Sequence, residues 1–187
     1  MSAWNLRSLL RVALVGALAA GPAAAAGAGA STSTVSLAPV TIGASLQKAL
    51  KDRYGVDEAQ ELQQAVTHSL SRSLKGVGAQ QGEAAAIRIE VLIDSATPTH
   101  PTRRQLNENP SLDYLGSVSR GGADLRAVLR NADGQVLDRV AYDYYAYTLK
   151  EASMSAAPWG DAYIAIDRFA DQVARHWRRL AGAAPAS

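Results

Sequence analysis

Ile87, Ile89, Val91 and Ile93 alternate with Arg88, Glu90 and Asp94 along residues 84–94. Successive side chains of a strand point to opposite faces, so this run predicts a strand with one dry face and one wet face. The dry face needs a covering layer. Leu62, Val66, Leu70 and Leu74 recur every four residues and form the stripe of an amphipathic helix. Asp57 is placed to cap it, Gln60 to complete a capping box, and Gly76 and Gly78 to end it. Ile166, Phe169, Ala170, Val173, Trp177 and Leu180 form a second stripe. There Pro158 is expected in the first turn, with Arg175, Arg178 and Arg179 in the last turns, where cations suit the helix dipole.

The remaining elements are weaker. Residues 35–42 alternate apolar and small side chains and read as a first strand, which Pro39 favours at a sheet edge. Residues 45–54 read as a short helix ended by Gly55. Ala123, Leu125, Ala127 and Leu129 alternate with Asp124, Arg126 and Arg130, and residues 136–149 return as the partner strand after a tight turn at 131–134. No regular element is evident in residues 95–116. The expected fold class is therefore α+β, in the order β-α-β-β-β-α: an antiparallel or mixed four-stranded sheet with two long helices packed on one face.

The amino terminus predicts export. Arg7 and Arg11 with no acid precede an apolar run at 12–20, then Gly21, Pro22 and a small-residue stretch at 23–30. This is the layout of a secretory signal peptide at residues 1–30, cut after Ala26, Ala28 or Ala30, and 27–34 read as a flexible lead-in. A membrane span needs roughly 20 apolar residues, and Pro22 cuts this run short, so no stable membrane anchor is expected after cleavage. Residues 31–187 are expected to form a single α+β domain, periplasmic or secreted. Such a chain buries roughly 70% of its unfolded surface, enough for a core without staples. Staples are excluded in any case, because the chain has no cysteine. The same absence excludes thiolate chemistry and lipidation at a mature amino-terminal cysteine. Of the 19 Lys and Arg, Arg7 and Arg11 leave with the signal, and the other 17 balance the 17 Asp and Glu. The balanced charge removes the argument for a nucleic-acid partner, and with export predicted none is expected.

Catalytic patterns are sparse, and the expectation is that the protein is not an enzyme. His68 reads as a solvated or rim residue and His176 as a dipole partner, and neither has a second His or carboxylate at metal-ligand spacing. Neither a metal nor a cofactor is expected. Gly116-Ser117-Val118-Ser119 precedes a strand, not the helix that a nucleophile elbow requires. Gly121 and Gly122 have no helix start after them, so they read as a bulge or a close backbone approach. No carboxylate pair stands out for hydrolysis.

Two features carry a binding reading. Alternation sets Tyr142 and Tyr144 on one strand face with Val140, and Tyr145 and Tyr147 on the other with Leu137 and Leu149. One pair belongs to the core, and the other covers the open sheet or meets a partner. The long connection from Thr97 to Tyr114 holds Pro98, Pro101 and Pro110, which stiffen it. On it His100, Arg103 and Arg104, with Arg120 beyond, can present donors to an anionic group. The candidate contact residues are His100, Arg103, Arg104, Arg120, Tyr145 and Tyr147, and the expected partners an envelope protein or an anionic ligand.

The run from Pro98 through Thr99, His100, Pro101, Thr102, Arg103, Arg104 and Gln105 to Leu106 is distinctive. With Pro110-Ser111-Leu112, Gly121-Gly122-Ala123, Trp159, Asp161, Ala162, Arg168-Phe169-Ala170 and the 53–58 segment, it resembles a family of uncharacterised proteobacterial exported proteins. Many members of that family are lipoproteins, and this chain departs from them in having no cysteine to acylate. The resemblance brings no catalytic residue with it. Together these readings imply a periplasmic binding or envelope accessory protein. The alternative is a self-associating structural envelope protein, a homo-oligomer formed through the aromatic face, and a hydrolase comes third.

Overall fold

A computed structural model describes residues 34–83, 85–150, 152 and 156–183. The signal-peptide reading at 1–30 lies outside the described residues. Strands β1 (Thr34–Leu37) and β2 (Thr41–Ile42) open the chain, followed by α1 (Ala44–Ala49), a π-helical turn (Leu50–Tyr54) and α2 (Glu58–Gly76). Then come β3 (Gln80–Gln81), β4 (Ile87–Thr97), α3 (Arg103–Glu108), β5 (Gly122–Asn131), β6 (Val136–Tyr145) and α4 (Gly160–Ala183). The fold is α+β with a mixed sheet and helices packed on it, as expected. The sheet has six strands in place of four, because the expected first strand is split in two and the short β3 joins the sheet. Its order is β3-β1-β4-β5-β6, with β2 also against β4. β4, β5 and β6 are antiparallel, while β1 and β2 run parallel to β4.

The expected first strand is split. Pro39 cannot donate to a ladder, and it falls in the break between β1 and β2. β1 itself is not at the edge, since β3 pairs with its outer side. The expected capping box of α2 does not form. Asp57 has helical dihedrals (φ −66°, ψ −27°) and makes no side-chain cap, whereas a capping residue needs an extended backbone to fold its side chain back. Turn bonds from Ala59 N–H to Val56 O and from Gln60 N–H to Asp57 O serve the first amides instead. α4 starts after Pro158, not around it, and runs on to Ala183 with no basic residue in its last turn. Arg175, Arg178 and Arg179 therefore lie short of the helix end, and His176 bonds Asp138 of β6 at 2.7 Å.

The core lies between the helices and one sheet face. Ile87, Ile89, Val91, Ile93, Leu125, Ala127, Leu129 and Val140 are buried there against Leu62, Val66, Leu70 and Leu74 of α2 and Ile166, Phe169, Val173 and Trp177 of α4. Each such side chain, taken fully out of water, contributes about 1.5–3 kcal/mol. A polar seam registers the two helices: Arg72 meets Asp167 at 2.7 Å, and Ser73 donates to Asp171 at 2.8 Å. The other sheet face is wet and carries the ion pairs Arg130–Glu90 (2.9 Å) and Arg126–Asp94. Gly134, at φ 80°, closes the β5–β6 turn.

Candidate functional site

β4 leaves the sheet at Thr97, which pairs with Gly122 at the start of β5. The intervening connection, residues 98–121, thus departs and returns at one rung. Its first residues, 98–102, are all buried, so their polar groups need partners. Thr99 N–H and His100 N–H donate to the carbonyl of Pro158, at 2.6 and 3.2 Å. The Thr99 hydroxyl donates to Asp161 Oδ2 (2.9 Å) and accepts from Asp161 N–H (3.0 Å). Ser119 N–H donates to Thr99 O at 2.8 Å and ties down the far arm.

Gly121 closes this cluster. A Cβ there would lie 2.2 Å from Thr99 Oγ1, and at Gly122 one would lie 2.1 Å from Tyr144 O. The close backbone approach expected at this glycine pair is present. Further on, Thr102 makes a complete capping box. Its N–H donates to Gln105 Oε1 (3.1 Å), its hydroxyl accepts from Gln105 N–H (3.4 Å), and that hydroxyl also donates to Tyr54 O (2.6 Å). This box starts α3, a helix inside the stretch where none was expected.

The candidate contact residues do not converge on one anion site. His100 is 7% exposed and lines a hollow of about 350 Å³ together with Arg53, Tyr54, Gln105 and Val118. Arg103 and Arg104 line a different hollow, of about 540 Å³, beside Asp57, Glu58 and Glu61. Arg104 is held by Glu108 at 2.7 Å and donates to Lys51 O, which fixes α3 to the π-helical turn. Arg103 is exposed. Arg120 and Tyr147 do meet, through a 3.3 Å bond from Arg120 Nη1 to Tyr147 O. Tyr145 faces the wet sheet side, its hydroxyl 2.6 Å from Ser95 Oγ. Burial raises its pKa, the Ser95 bond opposes that, and Asp124 and Asp143 add to the rise. Tyr142 and Tyr144 pack on the core.

β6 stops at Tyr145, so Tyr147 and Leu149 leave the sheet. The Arg120 bond and a 3.0 Å bond from Ala146 N–H to Gly121 O hold the departing chain against the 98–121 connection. Six of the eight large apolar side chains exposed among the described residues belong to these two segments: Tyr114, Leu115, Val118, Tyr145, Tyr147 and Leu149. The last two, at 80% and 60% exposed, and Leu115, at 65%, stand well out into water.

Trp159 and Asp161 escaped the reading of candidate residues, although both stand in the segment that carries the family resemblance. Trp159 is fully buried, edge-on to Tyr54 with centroids 5.6 Å apart, and donates to Glu58 Oε2 at 2.6 Å. Burial pushes the Glu58 carboxyl up, with the Trp159 N–H opposing and Glu61 reinforcing. Tyr163, bonded to Glu61, is pushed up by burial and by that carboxylate. Among the described residues no group of three or more His, Asp or Glu could hold a metal ion. Nor is any helix among them long and apolar enough to cross a membrane.

No family model and no curated protein matches the chain. Among solved structures the chain is similar to a PelC dodecamer from Paraburkholderia phytofirmans, at 9% identity and a TM-score of 0.45, over 76% of this chain and 86% of that one. It is similar also to a Xanthomonas campestris protein of the DUF330 family, at 12% identity and a TM-score of 0.46, over 80% and 85%. A minor lipoprotein from Acinetobacter baumannii aligns at 15% identity and a TM-score of 0.33, over 79% of this chain and 94% of that one.

Proposed function

We propose that the protein is an exported binding or accessory module of the cell envelope, without catalytic activity. Its working surface is the rim formed by residues 114–120 and 145–149. One observation carries this reading: the rim exposes Tyr114, Leu115, Tyr147 and Leu149, yet its first part belongs to a connection anchored by the buried bonds of Thr99 and by the Ser119 amide, and its second part is bonded to that connection at Gly121 and Arg120. A surface ordered during folding loses less entropy on binding, and aromatic anchors are common at interface centres. The signal-like sequence at 1–30 supplies the compartment. The test is a photo-crosslinking amino acid placed at position 115 or 147 in cells, with exposed Thr67 on α2 as control. A discrete adduct from the rim positions and none from position 67 is expected. Equal labelling at all three positions counts against the rim.

Self-association is the second reading, and the free side of β6 favours it. Among the described residues no strand lies beyond β6, and a long open edge is a template for pairing. Sedimentation equilibrium separates the two readings. A monomer at every concentration removes self-association and leaves the rim reading intact.

A further inference from the structure

The open edge strand β6 carries its own complement. Its odd-numbered side chains, Leu137, Arg139, Ala141, Asp143 and Tyr145, are all exposed and share the wet sheet face. Read outward from Ala141 in the two directions, this row sets Arg139 against Asp143 and Leu137 against Tyr145. Neither charge is neutralised within the molecule: Arg139 and Asp143 have no ion-pair partner among the described residues. Asp143 instead faces Asp124 of β5, and like charges directly opposite are destabilising. Arg126, the next residue of β5 on this face, is engaged by Asp94. The edge is open in its backbone as well. No strand lies beyond β6 among the described residues, and the Arg139 N–H donates to the carboxylate of its neighbour Asp138, at 2.8 Å.

We propose that two copies of the chain pair antiparallel through β6, about a two-fold axis at Ala141, so that their sheets run on as one. A two-fold axis normal to the sheet keeps each side chain on its own face. Arg139 can then meet only odd-numbered residues, and Asp143 is the acid among them. Centring the axis on Ala141 is the register that brings them together, and symmetry makes the pair twice. Each Asp143 gains the cation that its own sheet does not supply. In the same register Leu137, 40% exposed, falls opposite Tyr145, 38% exposed, and apolar or aromatic pairs across a ladder are stabilising. On the other face Tyr144 falls opposite Asp138. Arg168, whose guanidinium lies 4.8 Å from the centre of the Tyr144 ring, thereby meets a carboxylate of the second copy. This inference rests on the self-association reading and gives it a surface and a register.

The test combines a single thiol with a charge swap, each at exposed positions. The chain has no cysteine, so in Ala141→Cys the introduced thiol can couple only to its copy. Residues opposite each other in an antiparallel ladder have Cα atoms about 4.5–5.5 Å apart, inside the range of about 4.4–6.8 Å that a disulfide spans. Mild oxidation should link Ala141→Cys into a covalent dimer, and leave Thr67→Cys, on exposed α2, monomeric. In sedimentation equilibrium Arg139→Asp and Asp143→Arg should each weaken the wild-type dimer by about ten-fold or more. The two changes together restore opposite charges across the axis and should return the dimer to within about three-fold of the wild type. A monomer at every concentration overturns both this pairing and the self-association reading beneath it. A dimer whose Ala141→Cys thiols fail to couple, or whose strength ignores the single charge reversals, overturns this register alone and leaves self-association to another surface.

Discussion

The Thr99 hydroxyl and Asp161 hold each other through two hydrogen bonds across 62 residues of chain, and both side chains are fully buried. Thr99 Oγ1 accepts from an amide in the first turn of α4, doing from a distance what an N-cap does locally. The Asp161 carboxylate in turn sits at the positive end of the helix dipole. This pair joins the 98–121 connection to the longest helix.

Thr99→Val keeps the shape and removes the hydroxyl, so a buried carboxylate loses a donor and a helix amide loses its acceptor. The expected cost is about 1–3 kcal/mol, read from the urea midpoint, and Thr99→Ser should stay much nearer the wild type.

Gly121→Ala should also destabilise, by about 1–3 kcal/mol, because its methyl group would meet Thr99 Oγ1 at 2.2 Å and Asp161 Oδ2 at 3.0 Å. Gly76→Ala is the control. Nothing lies within 4 Å of a Cβ there, and a helical alanine should stabilise by about 0.4–1 kcal/mol. Opposite signs in the same denaturation assay are the expected result.

Glu58 should give a measurable pH dependence. Burial raises its folded-state pKa above the ordinary carboxylate value, against the bond from Trp159. The folded protein therefore holds this proton more tightly than the unfolded chain. Its contribution is present below the unfolded pKa and is lost as pH rises through the raised folded value. Glu58→Gln, which keeps an acceptor for Trp159, should flatten the fall in urea midpoint over that window.

Asp138 should act in the opposite direction. Burial opposes ionisation, but the bonds from His176 and the Arg139 amide outweigh it and lower the pKa. Its stabilising contribution is present above the unfolded carboxylate pKa and is lost as pH falls through the lowered folded value. His176→Phe should weaken that acid-side loss in the same titration.

The parts of the fold governed by periodicity were legible in the sequence. The alternation at Ile87, Ile89, Val91 and Ile93 and the stripe from Leu62 to Leu74 needed no partner to be read. Caps were harder, as two similar signals show. Asp57 with Gln60 and Thr102 with Gln105 share a spacing, but only the second forms a box. Thr102 follows Pro101 in an extended conformation (φ −70°, ψ 164°), while Asp57 is already helical, and the backbone decides the outcome. The tyrosine faces followed alternation as far as Tyr145, where the strand ends and the rule lapses for Tyr147. The burial of His100 and the pairing of Asp161 were out of reach, because both depend on contacts with residues far away in the chain. A polar loop residue looks solvated until the fold wraps it.

Amide hydrogen exchange tests most directly whether the 98–121 connection is a fixed platform. The Thr99 and Ser119 amides, bonded to Pro158 O and Thr99 O, are expected to be protected to the level of β5 amides and to lose that protection in Thr99→Val. Exchange of both amides in the wild type at the rate of an unstructured loop would contradict a pre-ordered binding surface.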